Sequence, residues 1–124
     1  MGSVLSMALL WPVELIRATT RTLVFNVAKV KKLTKVGGWA ILKIKGRHII
    51  FVRDTEESIK ALNSVCTHKQ CTVEYDSKTQ KIVCPCHGSR FHLDGKLLSP
   101  PARIPLKAYP ASLIDGKVTI TIEE

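Results

Sequence analysis

Two short stretches concentrate the residues able to hold a metal. The first is Cys66-Thr67-His68-Lys69-Gln70-Cys71 and the second is Cys84-Pro85-Cys86-His87-Gly88-Ser89. Each supplies a thiolate and an imidazole within three residues. A lone Cys or His in a small domain is usually just packed or exposed. Two matched Cys/His pairs are hard to explain that way, and they point to a metal site. A tetrahedral zinc would use Cys66, His68, Cys84 and His87. Zinc fingers, however, usually pair Cys with Cys and His with His in each half. Mixed pairs at very short spacing suit a two-metal cluster, in which each loop places its Cys on one iron and its His on the other. A zinc-stabilised binding module without a redox role stands as the alternative. Cys71 and Cys86 are left over, one in each loop.

Such loops need a rigid frame, and the surrounding sequence reads as strands. A period of two begins at Thr22 and predicts a strand over 22–30. Residues 39–45 and 48–53 flank Gly46-Arg47 and read as a β-hairpin. A further strand over 59–65 leads into Cys66. Residues 80–84 and 90–93 flank the second loop, and Asp94-Gly95 is a turn signal. Pro100, Pro101 and Pro105 predict an extended, ordered loop. After Asp115-Gly116, residues 117–122 form a last strand with Val118, Ile120 and Ile122 on one face. Many short strands with regular turns predict an all-β fold, an antiparallel sandwich or small barrel.

The chain has 124 residues and a net charge of +9. Nine Lys/Arg against one acid lie before residue 48, and ten against nine lie after it. The excess therefore belongs to the first third. Lys29, Lys31, Lys32 and Lys35 carry no aromatic interleaving and no recognition-helix pattern, which argues against nucleic acid. A solvated strand edge, an anionic membrane surface or an acidic partner fits them better. Residues 4–16 are the most apolar stretch but fall short of the roughly 20 residues a bilayer span needs. They read as a docked helix or as the end of a membrane anchor, with Trp11 at the interface. The division is thus an N-terminal segment over 1–21 and a folded domain over 22–124, with the cluster-binding part at about 64–102.

The C-T-H-x-x-C and C-P-C-H-G-S runs, with Ser99-Pro100-Pro101-Ala102 after them, resemble the Rieske iron–sulfur proteins over about residues 22–124. The resemblance implies one [2Fe–2S] cluster, with Cys66 and Cys84 on one iron and His68 and His87 on the outer iron. It also implies a Cys71–Cys86 disulfide. The presence of both disulfide cysteines resembles the cytochrome bc branch, whereas the family's ferredoxins and oxygenase domains generally lack them. The implied role is one-electron transfer in a quinol–cytochrome reductase, with quinol and cytochrome b- and c-type partners. It implies a redox subunit that is not catalytic alone. A disulfide suits a membrane-associated domain on the non-cytoplasmic (periplasmic) side. A Rieske ferredoxin feeding an oxygenase or a molybdenum oxidase is the second reading. Two neutral imidazoles in place of thiolates raise the potential to between about −150 and +300 mV, against about −400 mV for plant-type ferredoxins. Ser89 resembles the family serine that donates a hydrogen bond to a sulfur. Two departures stand out. Phe91 occupies the position where high-potential members carry a tyrosine, which predicts a lower potential. Lys69-Gln70 replaces the usual Leu-Gly, which alters the apolar tip. His48 reads as a surface residue and His92 as structural.

Overall fold

A computed structural model of the chain describes residues 20–123. The apolar stretch over 4–16 lies outside the described residues. Among those residues the fold is all-β, and the strands form three antiparallel sheets. β1 (Thr20–Asn26), β11 (Lys117–Glu123) and β10 (Ala111–Ile114) form the first. β2 (Trp39–Ile44), β3 (Arg47–Thr55), β4 (Ser58–Asn63) and β9 (Ala108–Tyr109) form the second. β5 (Glu74–Asp76), β6 (Lys81–Val83), β7 (Arg90–Phe91) and β8 (Leu97–Ser99) form the third, which borders the two Cys/His loops. No described helix is long and apolar enough to cross a membrane.

β3 is the wall between two cores. Ile49, Ile50, Phe51 and Val52 are all fully buried, so both faces of the strand are covered and its sequence is continuously apolar. Ile49 and Phe51 pack toward Val118, Ile120 and Ile122 of β11. Phe25 of β1 meets Phe51 edge-on, with ring centroids 5.4 Å apart. Ile50 and Val52 pack on the other side, into the core that also contains Cys66, Cys84 and Phe91. The same division explains why β2 is apolar on both parities. Ala40, Leu42 and Ile44 serve the first core, and Trp39 and Ile41 the second.

Three expectations on strand limits are corrected. The first strand ends at Asn26, not near Val30. The Asn26 side chain accepts from the Ala28 N–H at 2.9 Å and opens two successive 3-10 turns, Val27–Lys29 and Lys31–Leu33. A local side-chain cap competes with extension here, and the turns bury Val27 and Leu33 while leaving the lysines outside. Gly38 closes this segment, because a Cβ there would lie 1.8 Å from the Lys32 carbonyl. The β2–β3 turn is centred on Lys45-Gly46, one residue before the predicted Gly46-Arg47. Both central residues have positive φ (52° and 80°), as a type I′ hairpin requires. The strand before the first cysteine stops at Asn63, whose side-chain oxygen accepts from the Val65 N–H and starts the loop.

Candidate metal centre

The two Cys/His loops close in the same way. In the first, between β4 and β5, the Cys66 N–H donates to the Cys71 carbonyl at 2.7 Å, and the Gln70 N–H donates back to the Cys66 carbonyl at 3.0 Å. In the second, between β6 and β7, the Cys84 N–H donates to the Ser89 carbonyl at 2.8 Å, and the Gly88 N–H donates to the Cys84 carbonyl at 2.9 Å. In each loop the fifth residue adopts positive φ, Gln70 at 59° and Gly88 at 83°. This shared closure turns both cysteines inward and both histidines outward. Cys66 and Cys84 are each 1% exposed, whereas His68 and His87 are exposed. The two imidazole rings meet edge-on with centroids 5.2 Å apart.

Two further links fix the loops. Cys71 and Cys86 form a disulfide with Cα atoms 6.4 Å apart. The third loop, which follows β8, is bonded to both of the others. The Thr67 hydroxyl donates to the Ile104 carbonyl at 2.7 Å. The Ala102 N–H donates to the Ser89 hydroxyl oxygen at 2.9 Å. Ser89 is fully buried, and as an acceptor here it keeps its own O–H to donate elsewhere. Gly95 anchors the far end of this loop. It accepts from the Leu106 N–H at 2.9 Å and has φ of 93°. The turn opposite the loops, between β5 and β6, is held by Asp76, which accepts from the Lys78 N–H and the Thr79 hydroxyl.

The donor set separates cleanly by chemistry. The sulfurs of Cys71, Cys84 and Cys86 lie within 4.8 Å of one another. Two of these share the disulfide, so that trio is not a ligand set. The free thiols are Cys66 and Cys84. Burial pushes the Cys84 thiol above its ordinary pKa, and the adjoining Cys66 thiol adds to this. At His68 the pKa is lowered, first by loss of water around the ring and then by the charges of His87, Lys69 and Arg103. Two buried thiols beneath two exposed, apposed imidazoles fit a binuclear iron centre with sulfur ligands inside and nitrogen ligands outside. His48 is exposed, as expected, and His92 is half-buried in the β7–β8 hairpin. The bonds that tie the third loop to Thr67 and Ser89 were not legible, because two of their four partners are backbone atoms far away in sequence.

The model of the Rieske [2Fe-2S] domain matches residues 23–110. The chain belongs to the Rieske family. It therefore carries one [2Fe–2S] cluster and transfers electrons, and the zinc alternative falls away. By sequence it is similar to the cytochrome b6-f complex iron-sulfur subunit of Chlorobaculum tepidum, at 42% identity over 65 residues, covering 52% of this chain and 36% of that one. The corresponding subunit of Nostoc punctiforme is 35% identical over 80 residues, covering 63% and 45%. The chain thus spans less than half the length of these curated relatives. These matches agree with the expected bc-type branch. Among solved structures, the plasma membrane Rieske protein of the cyanobacterium Synechocystis superposes with a TM-score of 0.61 at 27% identity, over 77% of this chain and 97% of that one. The ferredoxin of carbazole 1,9a-dioxygenase from Nocardioides aromaticivorans gives 0.65 at 22% identity, over 78% and 92%, and shares the fold.

Proposed function

We propose that the chain is the iron–sulfur subunit of a bc-type quinol–cytochrome reductase. In this reading Cys66 and Cys84 hold the inner iron of the cluster and His68 and His87 hold the outer one. The bound cluster supplies reversible one-electron chemistry at a potential raised by its neutral imidazole ligands. The chain's own residues do the rest. Cys66 and Cys84, each almost fully buried, keep the sulfur side out of water. His68 and His87 present exposed rings at the tip, where an electron can leave and a ring nitrogen can hold or release a proton. Ser89 stands ready to donate a hydrogen bond toward the sulfurs, which tunes the potential.

The observation that carries this reading is the Cys71–Cys86 disulfide across the two ligand loops, alongside relatives named as cytochrome b6-f subunits. A disulfide persists on an oxidising side, so the domain faces the non-cytoplasmic side of a membrane. In this reading the apolar N-terminal stretch serves for membrane attachment and the domain from β1 (Thr20–Asn26) onward carries the electron, with cytochromes and a quinol as partners. The Phe91 side chain, which has no hydroxyl, suits a lower-potential quinone. A Rieske ferredoxin serving an oxygenase is the second reading, favoured by the superposition on a dioxygenase ferredoxin and opposed by the disulfide.

Affinity purification from detergent-solubilised membranes of the native host tests the proposal. A b-type haem recovered in stoichiometric amount supports it. Recovery only from the soluble fraction, together with an oxygenase, overturns it.

A further inference from the structure

The rim of the tip is cationic throughout. The three loops that frame the site, residues 64–73, 84–89 and 100–107, contain Lys69, Arg103 and Lys107 and no Asp or Glu. Outside these loops, residues 20–53 are also basic, and charges of both signs mix in the strands and turns from Asp54 onward. Lys69 and Arg103 are exposed, and neither takes part in an ion pair among the described residues. Arg103 lines an open depression of about 410 Å³ together with Thr67, His68, Pro101 and Ile104. Ile104 is 61% exposed there. Its carbonyl is held by the Thr67 hydroxyl, so this apolar contact point is fixed in place rather than loose.

Resting on the electron-transfer reading above, we propose that Lys69 and Arg103 form a cationic collar around the exposed imidazoles that docks an electron-accepting protein whose redox group is ringed by carboxylates, with Ile104 as the apolar contact. Charge complementarity carries the choice of occupant. An anionic membrane would match the charge but offers no electron acceptor at the imidazole edges. The second basic patch, Lys31, Lys32 and Lys35 beside Val36 and Trp39, lies on the segment between β1 and β2 and serves as the internal control. Fixed charges around such an exit raise association rates by about 10- to 1,000-fold, an effect that falls with salt. Surface charges are screened beyond about 8 Å at physiological ionic strength.

The test uses the cluster-loaded protein, reduced and freed of reductant. It is mixed in a stopped-flow instrument with hexacyanoferrate(III), an anion, or with tris(phenanthroline)cobalt(III), a cation. In each case one electron leaves the protein and reduces the metal complex, to iron(II) or to cobalt(II). The ratio of the two rates removes the shared effect of any change in potential. The expected anion/cation ratio falls about tenfold between 10 mM and 500 mM salt. In Lys69→Glu/Arg103→Glu it falls at least tenfold at low salt, and Lys31→Glu/Lys35→Glu changes it less than twofold. A readout without turnover is the fluorescence anisotropy of a fluorescein-labelled hexaglutamate peptide, whose binding weakens at least fivefold in the tip variant only. A tip variant that matches wild type, or a control variant that loses as much, overturns the collar. So does sedimentation with phosphatidylglycerol vesicles that depends on Lys69 and Arg103 while peptide binding does not. A preparation without cluster absorbance or a reduced-state EPR signal instead overturns the electron-transfer reading.

Discussion

Replacing Cys71 and Cys86 together by alanine removes the disulfide that cross-links the two Cys/His loops. The cysteines lie 15 residues apart in sequence. For a loop of that length the chain-entropy model gives a loss of about 3 kcal/mol at 25 °C. Unfolding entropy of about 2.1 cal/mol/K per residue over the described domain converts this into a fall in Tm of about 14 °C. The backbone closures of each loop, from Cys66 to Cys71 and from Cys84 to Ser89, do not involve the sulfurs. The double variant is therefore predicted to fold and to take up the cluster. Thermal unfolding followed by circular dichroism and by cluster absorbance measures the effect. Wild type in a phosphine reductant is predicted to converge on the double variant, because Cys86 is exposed, while the variant itself is indifferent to reductant. A double variant within about 3 °C of wild type would refute the reasoning, as would an equal response of both proteins to reductant.

Ser89→Ala leaves the buried Ala102 N–H without an acceptor, which costs about 1–3 kcal/mol; urea unfolding of the holoprotein checks this, and a loss below about 0.5 kcal/mol would contradict it. Phe91 is fully buried in the same core as Cys66 and Cys84, and Phe91→Tyr introduces a donor there. The potential is predicted to rise by roughly 40 mV, the one-electron equivalent of about 1 kcal/mol; a redox titration in which it stays put or falls sinks the idea. Asp76 titrates below its ordinary value of 3.8, chiefly through the Thr79 hydroxyl and then the Lys78 N–H. A depressed carboxylate stabilises the fold above that ordinary value and loses its contribution as pH falls through the lower native one. Asp76→Asn is thus predicted to flatten the acid limb of the stability–pH curve, and an unchanged limb would argue against it.

What the sequence made legible follows from which signals are local. β11 announces itself by alternation, and the β2–β3 hairpin by a glycine turn between two apolar runs. The face formed by Val118, Ile120 and Ile122 is fully buried, as predicted. The metal loops are legible because their donors are chemically rare and sit close together. β5, β8, β9 and β10 are not legible in the sequence, because strands of two to four residues carry no period. β9 and β10 are fixed instead by pairing with the longer β4 and β11. The end of β1 was misplaced because Asn26 acts through its cap rather than through hydropathy. The equivalent closure of the two metal loops is made by backbone groups alone, which leave no mark on residue type except Gly88. Gln70 adopts the same positive φ as Gly88 and gives no hint of it in sequence.

The assignment of Cys66, Cys84, His68 and His87 as ligands is tested most directly by pulsed EPR on the reduced holoprotein, with iron and acid-labile sulfide measured on the same sample. The account predicts two irons and two sulfides per chain, as a [2Fe–2S] centre requires, and nitrogen couplings from two coordinated imidazoles. His68→Ala or His87→Ala each removes one of those couplings. A colourless, EPR-silent protein with stoichiometric zinc would contradict the account, as would nitrogen couplings that survive both substitutions.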